Sequence, residues 1–193
     1  MDNPYALYDK RLLNLESCAF LNTYKRIDLD EVIQNLGKGV DVTTNPSRWG
    51  SESNDVKEIH KLWQDANFNP ESIKWTNYYP GYDFSQDLVN DVAFYLRMNG
   101  VHRAWISKVD PGFYAPWHWD ADEKEQEYLD KGEVRRYSIF IGHKGLGHVF
   151  MLGKDYLYNL PKGSIFRWKD YKEWHAGMNA GLTPKYMFHI IGY

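Results

Sequence analysis

Residues 101–120 read VHRAWISKVDPGFYAPWHWD, and this stretch decides the fold class of the chain. The hydrophobic period changes here, because apolar residues at helical spacing precede Gly100 and an alternation of period two follows it. The alternation over 101–109 is typical of a β-strand, and Pro111-Gly112 then turns the chain. One face of this strand is predicted to carry Arg103, Trp105, Ser107 and Val109, and the other Ala104, Ile106 and Lys108.

Short segments of the same kind continue to the end of the chain, with glycine, asparagine and proline between them. They cover residues 135–141 (RRYSIFI), 147–152 (GHVFML), 156–160, 164–168 and 185–191. Many short strands at a spacing of roughly 8–12 residues are typical of a β-sandwich or barrel. We therefore predict a mainly β core over residues 101–193.

The first hundred residues are predicted to form a mostly helical layer that covers one sheet. Apolar residues at helical spacing predict helices over 28–36, from about 54 to 63, and over 85–99. Residues 45–53 and 69–83 are rich in Asn, Pro, Gly and Ser, which predicts loops. At 193 residues the chain is expected to be one domain, with an N-terminal layer over 1–100 and the β core over 101–193.

The composition excludes several classes of function. Eight Trp and fifteen Tyr are typical of a folded chain, and a net charge of −3 argues against general affinity for nucleic acid or a membrane surface. No apolar run is long enough for a membrane span, and residues 1–17 lack the apolar stretch of a signal peptide. Cys18 is the only cysteine, so an intrachain disulfide and a multi-thiolate metal site are both excluded. We expect a cytoplasmic protein, and the sequence leaves the oligomeric state open.

His118-Trp119-Asp120 is a candidate metal-binding motif. Residues i and i+2 of an extended segment point to the same side, so His118 and Asp120 can both reach one ion. His175, 55 residues beyond Asp120, is the candidate third ligand. Two histidines and one carboxylate hold Fe(II) by one face and leave three positions for a co-substrate and O₂. A lone His-x-Asp is weak evidence in a chain with seven histidines, so the hypothesis depends on the residues that accompany it.

Lys185 is the candidate partner for a carboxylate of the co-substrate. On a strand over 185–191 it shares a face with Met187 and His189, and an inward-facing lysine is costly unless an acid pairs with it. The far carboxylate of a bound dicarboxylic acid would be such a partner. The alternative is that Lys185, next to Pro184, lies at the solvent-exposed end of the strand.

Arg136 is the rival cation for the same acid. It is predicted to lie on one face of its strand with Ser138, while Arg135 faces the other way. Arg136 and Lys185 are both candidates, singly or together, and His189 is a weaker third.

The order of four segments resembles the double-stranded β-helix core, a jelly-roll or cupin-like fold, of Fe(II)/2-oxoglutarate (2OG)-dependent oxygenases. The segments are PGFYAPWHWD (111–120), RRYSIFIG (135–142), GSIFRW (163–168) and WHAGMNAGLTPKYMFHIIG (174–192). The branch it resembles most is that of the aspartyl/asparaginyl β-hydroxylases. Pro116-Trp117-His118 matches the Pro-x-His of that branch, residues 136–141 resemble its Arg-x-His-Leu-x-Leu strand, and His175 with Lys185 matches its distal histidine and later basic residue.

Two positions depart from the pattern of that branch, and a third supplies a group that some of its members lack. Ser138 stands where the branch often has a histidine that assists co-substrate binding, and Lys185 replaces the commoner arginine. Lysine at this position is familiar from prolyl-hydroxylase-like members of the superfamily. Asp120 supplies a carboxylate that some β-hydroxylases lack.

The resemblance implies a specific set of roles. Fe(II) would be held by His118, Asp120 and His175, and 2OG would chelate the iron and pair its far carboxylate with Lys185, helped by Arg136 and the neighbouring Ser138. The expected reaction consumes O₂ and 2OG, releases succinate and CO₂, and hydroxylates an amino-acid side chain or a small molecule. The expected partner is thus a small-molecule or peptidyl substrate.

Two other interpretations stay open at this point. A cupin-like metal protein with chemistry that does not use 2OG predicts an exposed Lys185. A non-enzymatic jelly-roll module that binds sugars or a protein predicts that His118, Asp120 and His175 are too dispersed to share an ion. Two further segments are candidate lids, the acidic stretch 121–133 and the aromatic stretch YYPGY (78–82), although a solvated loop and a packed connection explain them as well.

Overall fold

A computed structural model describes residues 18–43, 54–120, 127, 130, 133–143, 145–169 and 173–193. The predicted loop 45–53 and most of the candidate lid 121–133 lie outside the described residues. In chain order the elements are β1 (Ala19–Thr23), α1 (Leu29–Gln34), β2 (Val40–Thr43), α2 (Asn54–Asp65), a 3-10 turn (Pro70–Ser72), β3 (Lys74–Tyr78), α3 (Gln86–Tyr95), β4 (Val101–Val109), β5 (Tyr114–His118), β6 (Arg135–Phe140), β7 (His148–Leu152), β8 (Asp155–Tyr158), β9 (Ser164–Arg167), β10 (His175–Asn179) and β11 (Lys185–Gly192). None of the helices within these ranges is both long and apolar enough to cross a membrane.

The strands form two antiparallel sheets. The larger sheet has the order β1-β9-β6-β11-β4-β3-β2, and the smaller has the order β5-β10-β7-β8. From β4 onward the chain passes repeatedly between them, because β4, β6, β9 and β11 belong to the larger sheet and β5, β7, β8 and β10 to the smaller. This interleaving of two four-stranded sheets is the double-stranded β-helix, and the predicted fold class is confirmed.

The helices of the N-terminal layer begin at side-chain caps. Asp28 accepts hydrogen bonds from the backbone N–H groups of Asp30 (2.9 Å) and Glu31 (3.3 Å) and so starts α1. Ser85 accepts from the backbone N–H of Asp87 at 3.1 Å and starts α3. The three predicted helices are therefore present, although α1 and α3 are shorter than the apolar pattern indicated.

The same layer also supplies strands that the sequence did not predict. β1 lies at one edge of the larger sheet, and β3 and β2 extend the other edge beyond β4. The loop predicted over 69–83 was wrong at Lys74–Tyr78, which pairs with both β2 and β4. Turn-forming Asn, Pro and Gly residues lie on both sides of this five-residue strand. They outweigh the β propensity of its Trp, Thr and Tyr when the sequence alone is considered. The N-terminal hundred residues are thus a mixed layer.

Three apolar clusters hold the layers together. Outside the larger sheet, Leu88 and Val92 of α3 pack against Ile106 and Phe188. Between the sheets, a second cluster contains Phe140, Phe150, Leu152, Phe166 and Met187. A third cluster joins Ile59 and Trp63 of α2 to Trp119 and Trp174 beside the smaller sheet. Each large side chain buried in this way stabilises the fold by roughly 1.5–3 kcal/mol.

Strand register places the inner-face residues of the larger sheet in rows. Lys185 of β11 lies opposite Val109 of β4, and His189 lies opposite Trp105. Residues opposite each other in an antiparallel pair point to the same face. The faces predicted for β4 and β11 are confirmed, because Arg103, Trp105, Ser107 and Val109 line one cavity together with Lys185, Met187 and His189.

Candidate metal centre and its cavity

Two neighbouring strands of the smaller sheet bring the candidate ligands together. His118 ends β5, His175 begins β10, and the two lie directly opposite each other in the antiparallel pair. Their rings are 4.2 Å apart between centroids. Asp120 follows β5 by two residues, and one ligand atom from each of the three side chains lies within 4.8 Å of the others. The structure thus brings the predicted His-x-Asp and distal histidine into one cluster.

Backbone carbonyls orient both imidazoles. Nδ1 of His118 donates to the carbonyl oxygen of Pro116 at 2.6 Å, and Nδ1 of His175 donates to that of Glu173 at 3.1 Å. A carbonyl accepts only from N–H, so both Nε2 atoms keep a free lone pair. Each Nε2 lies 3.8 Å from Oδ1 of Asp120. Ligands bound to one ion at about 2.1 Å can be up to twice that distance apart, so the arrangement fits a metal ion.

The charges of the cluster also suit a cation. Burial alone would raise the pKa of the Asp120 carboxyl, but the Arg136 guanidinium opposes it and holds this pKa well below its usual range. Burial lowers the pKa of His118, and burial together with the neighbouring His118 lowers that of His175 further. At neutral pH the cluster therefore consists of two neutral imidazoles and one carboxylate, the protonation states that a metal ion requires.

Arg136 contacts the candidate metal ligand Asp120 and is not the partner of Lys185. Its Nη2 is 2.6 Å from Oδ2 of Asp120, and its guanidinium stacks on the ring of Trp168, 3.5 Å from the centroid. The Arg136 side chain is 1% exposed and that of Asp120 is 32% exposed, so the ion pair is buried on the side of the guanidinium and accessible on the side of the carboxylate. The structure places Arg136 where it orients a ligand carboxylate.

Ser138 is fully buried beneath the cavity lining. Its hydroxyl accepts from Nε1 of Trp168 at 2.8 Å and lies 2.9 Å from Nδ1 of His189. The other ring nitrogen of His189 lies 3.0 Å from the Ser107 hydroxyl, and the ring stacks on Trp105 at 4.9 Å. Ser138 thus positions His189 from below.

Lys185 is buried at the start of β11 and lines the same cavity as the three candidate metal ligands. It is 3% exposed, and its ammonium donates to the backbone carbonyl of Val149 at 2.7 Å. Within the described ranges no carboxylate pairs with it, and burial lowers the pKa of Lys185 to about 7. Gly177 leaves room for the ammonium, since a Cβ at that position would lie 2.8 Å from Nζ. The exposed strand end considered for Lys185 is excluded.

The cavity has a volume of about 170 Å³, and the three candidate metal ligands form part of its lining. One side is formed by the predicted residues His118, Asp120, His175, Lys185 and Arg136. The other side is formed by Trp75, Asn77 and Tyr79 of the unpredicted strand β3 and its following residue, and by Arg103 of β4. The alternation of Trp75, Asn77 and Tyr79 is the one sequence signal of this wall, and the turn-forming residues around it outweighed that signal and favoured a loop.

Aromatic rings enclose the histidines. The indole of Trp75 stacks on His118 with centroids 6.0 Å apart, and Trp168 meets His175 edge-on at 4.7 Å. Trp119 and Trp174 pack against each other in the core. Of the aromatic stretch 78–82, Tyr78 is buried in the core, Tyr79 lines the cavity and Tyr82 is exposed. The rings at the cavity form a mostly apolar wall around the candidate metal position.

Comparison with known proteins addresses the fold. No protein-family model matches the sequence, and no curated protein matches it. Among solved structures, the viral collagen prolyl hydroxylase of Paramecium bursaria Chlorella virus-1, solved as its 2OG complex, superposes with a TM-score of 0.52. The match has 13% sequence identity and covers 91% of this chain and 96% of that chain. The chain thus shares the double-stranded β-helix fold of that structure.

Two further structures resemble the chain more weakly. A Pseudomonas putida prolyl-4-hydroxylase has a TM-score of 0.45 at 10% identity, covering 86% of this chain and 99% of that one. A predicted oxalate decarboxylase from Thermotoga maritima has a TM-score of 0.36 at 16% identity, covering 62% and 80%. The resemblance to the aspartyl/asparaginyl β-hydroxylase branch stays a prediction.

Proposed function

We propose that the protein is an Fe(II)- and 2OG-dependent dioxygenase that hydroxylates an amino-acid side chain or a small molecule. One observation carries the proposal: the cavity that contains the His118, Asp120 and His175 cluster also contains the buried Lys185. Among the described residues the buried ammonium of Lys185 has only the Val149 carbonyl as an acceptor, which is costly, and an acid in the cavity would offset that cost. A 2-oxo dicarboxylic acid needs a metal for its 2-oxo acid end and a cation for its far carboxylate. The three candidate metal ligands and Lys185 would together provide both.

The two other interpretations make predictions that differ from the observed geometry. A metal protein that does not use a 2-oxo acid predicts an exposed Lys185, whereas the side chain is 3% exposed. A binding module predicts dispersed ligands, whereas the three ligand atoms lie within 4.8 Å. The burial of Lys185 and the closeness of the three ligand atoms therefore both favour the dioxygenase.

Each residue of the site has a part in this proposal. His118, Asp120 and His175 would hold Fe(II), which when bound supplies the activation of O₂ that converts 2OG to succinate and CO₂ and hydroxylates a C–H bond. Lys185 would pair with the far carboxylate of 2OG and hold the proton that this pairing requires. Trp75 and Trp168 exclude water from the two histidines.

Arg136 would act through Asp120 in this scheme. Its ion pair holds Oδ2, which leaves Oδ1 to face the metal position. This assignment differs from the co-substrate role expected from the sequence and favours Lys185 as the main partner of 2OG. The β-hydroxylase branch remains a hypothesis that depends on the Pro116-Trp117-His118 and 136–141 matches.

The proposal also includes what the sequence led us to expect of the substrate, the partners and the location of the protein. The substrate is a small molecule or a peptidyl side chain, and neither nucleic acid nor a membrane surface is a partner. A cytoplasmic location suits a chain with a single cysteine.

Succinate formation tests the proposed function directly. The purified protein is incubated in air with Fe(II) and 2OG, and succinate is measured for the wild type, His175→Ala and the control His143→Ala, whose side chain is 80% exposed. We expect slow succinate formation and one bound Fe(II) for the wild type and the control, and loss of both for His175→Ala. Equal succinate formation in all three proteins, or no affinity for 2OG with Fe(II) present, would contradict the proposal.

A further inference from the structure

Arg103 is a cation of the cavity to which the proposed reaction assigns no role. It belongs to β4 and lines the cavity together with the three candidate metal ligands. Arg136 pairs with Asp120, and Lys185 is the proposed partner of the far carboxylate of 2OG. Both of these cations are buried, whereas Arg103 is half-buried. Arg103 is thus the cation of the cavity that an incoming molecule can reach most easily.

Strand register places Arg103 and Lys185 at opposite ends of the cavity face. Lys185 lies opposite Val109 of β4, and Arg103 lies opposite Ile191 of β11. Six residues separate the two rows along each strand, which is about 20 Å at roughly 3.3 Å per residue. In the proposed function one end of 2OG pairs with Lys185 and the other end is held at the metal position. Arg103 is therefore not needed to bind the co-substrate.

The candidate metal position lies between these two cations. Arg136, the partner of Asp120, lies opposite Ile191 and so belongs to the same row as Arg103. Burial raises the pKa of the Asp120 carboxyl, and Arg103 is among the groups that lower it, after Arg136 and the two histidines. The charge of Arg103 is therefore close to the metal position, on the side away from Lys185. A molecule bound there would present its C–H bonds to the metal without displacing 2OG.

Trp105 holds the guanidinium of Arg103 in place. The guanidinium lies over the indole, 4.9 Å from the ring centroid, and the indole is buried and stacks on His189 at 4.9 Å. A cation held over an aromatic face keeps its positive charge and its N–H groups. A guanidinium has five N–H donors in a rigid fork, which matches the two oxygens of a carboxylate or phosphate. Arg103 is therefore prepared to bind an oxyanion even when it has another partner.

The charges of the cavity distinguish an anion from other ligands. Asp120 is the one carboxylate among the described lining residues, against the cations Arg103, Arg136 and Lys185. An ammonium ligand would be repelled by these cations. A hydroxyl or a neutral amide accepts a hydrogen bond from a guanidinium, but a bond between two opposite charges is roughly twice as strong. An anionic group is therefore the ligand that Arg103 favours.

We propose that Arg103 is a substrate-specificity residue that binds an anionic group of the substrate, either a carboxylate or a phosphate. The assignment of this molecule as the substrate rests on the proposed function. The binding of an anion at Arg103 does not, because it needs neither Fe(II) nor 2OG.

Four ligands that share a benzyl frame test the proposal. The frame suits the aromatic lining of Trp75 and Tyr79. Phenylacetate, benzyl phosphate, phenylacetamide and phenethylamine are titrated by ligand-observed NMR into the full chain with Zn(II) and excess 2OG, which are added to occupy the metal position and Lys185. We expect phenylacetate to bind about tenfold more tightly than phenylacetamide, and phenethylamine most weakly.

The two anions distinguish the source of the charge. Tighter binding of phenylacetate than of benzyl phosphate would support a carboxylate substrate, and the reverse order would support a phosphorylated one. Equal affinities for both anions and for the amide, or a preference for the amide or the amine, would overturn the proposal.

Variants of Arg103 localise the anion. Arg103→Gln is expected to lose the tenfold preference for the acid, and the exposed Arg97→Gln to keep it. Arg103→Glu reverses the charge, so it is expected to bind phenethylamine more tightly than phenylacetate. This gain of amine binding tests the site even where Arg103→Gln disturbs the packing on Trp105. An unchanged preference for the acid in both Arg103 variants would overturn the proposal.

A titration with 2OG on the same proteins separates this proposal from the proposed function. Arg103→Gln should keep the affinity for 2OG, and Lys185→Met should lose it. A wild type that does not bind 2OG but prefers the acid through Arg103 would contradict the dioxygenase and support the anion site. A preference for the acid that is lost in Lys185→Met and kept in Arg103→Gln would contradict the anion site alone.

Discussion

Arg136 and Asp120 form an ion pair that occupies one oxygen of the Asp120 carboxylate and leaves the other facing the candidate histidine ligands. Nη2 of Arg136 lies 2.6 Å from Oδ2, while Oδ1 faces the Nε2 atoms of both candidate histidine ligands at 3.8 Å. The guanidinium is held in turn by the face of Trp168. A carboxylate fixed at one oxygen presents the other in one orientation, which lowers the entropy lost when a metal binds.

Replacing Arg136 should weaken metal binding without removing any ligand. We expect Arg136→Met to lower the affinity for Co(II), used as a stable stand-in for Fe(II), by roughly 10–100-fold. Burial then raises the pKa of Asp120 without opposition from Arg136, so the loss should grow as the pH falls. Isothermal titration calorimetry measures the affinity, with Arg135→Met on the opposite strand face as the control. Equal affinities in both variants would show that the ion pair has no positioning role.

Replacing Lys185 should separate stability from function. Lys185→Met removes a buried ammonium and is expected to raise the free energy of unfolding at pH 7 by an amount on the order of a few kcal/mol. The same variant should lose 2OG binding and keep its metal affinity. Urea unfolding and 2OG titration on one preparation measure both effects, and a destabilised variant would contradict the assignment of Lys185 as a costly functional residue.

The stability of the wild type should rise with pH through the same residue. The pKa of Lys185 is about 7 in the folded protein against an ordinary value of 10.5. Between these values the unfolded chain binds the extra proton, so the contribution of Lys185 favours the folded state increasingly as pH rises from 7 to 10.5. Urea unfolding at several pH values should show this slope as a difference between wild type and Lys185→Met, and parallel curves would argue against it.

Binding of 2OG should weaken as pH rises above 7. The ammonium is half deprotonated near its pKa of about 7, and a dicarboxylate binds only the protonated form well. The apparent dissociation constant should therefore rise up to about tenfold per pH unit above that value, with uptake of a proton on binding. Calorimetry in two buffers of different ionisation enthalpy measures the proton. A flat profile from pH 7 to 9 would contradict the role of Lys185.

An added methyl group at Gly177 should displace Lys185 and spare the metal site. The Cβ of Gly177→Ala would lie 2.8 Å from Nζ, which is the free end of a flexible side chain and can move. We expect a several-fold loss of 2OG affinity with unchanged Co(II) affinity. A simultaneous loss of metal binding would indicate distortion of the neighbouring His175 instead.

Ser138 should matter for stability more than for co-substrate binding. Ser138→Ala leaves Nε1 of Trp168 and Nδ1 of His189 without their buried partner, which costs about 1–3 kcal/mol. Thermal unfolding measures this loss, and 2OG titration is expected to change little. A large loss of 2OG affinity at full stability would restore the direct co-substrate role suggested by the sequence.

The central strands could be predicted from the sequence because their two faces differ in chemistry. β4 and β11 alternate between residues that line the cavity and residues that pack against α3, so period two is clear in both. The His118-x-Asp120 spacing likewise predicted that both side chains reach one site, although Asp120 lies two residues beyond the end of β5. Pairing with His175 depends on strand order, and the resemblance to a known superfamily supplied that information.

The wall around β3 could not be predicted in the same way. Lys74–Tyr78 is short, and turn-forming residues surround it, so local composition favoured a loop. Its strand conformation depends on backbone pairing with β4 and β2, which are distant in the chain. The role of Arg136 was also beyond the sequence, because its ion pair with Asp120 joins β6 of the larger sheet to the segment that follows β5 of the smaller sheet.

The residues of the cavity are divided between two structural modules. The candidate metal ligands and Lys185 belong to or directly follow strands β5, β10 and β11 of the eight-stranded core, whereas Trp75 and Asn77 belong to β3, which extends the larger sheet beyond that core, and Tyr79 follows β3. β3 pairs with β4 of the core on one side and with β2 on the other, so the eight core strands pair with one another without it. Evolution, or a protein engineer, can therefore exchange the residues of β3 to change which compounds the cavity accepts while the candidate metal ligands stay as they are.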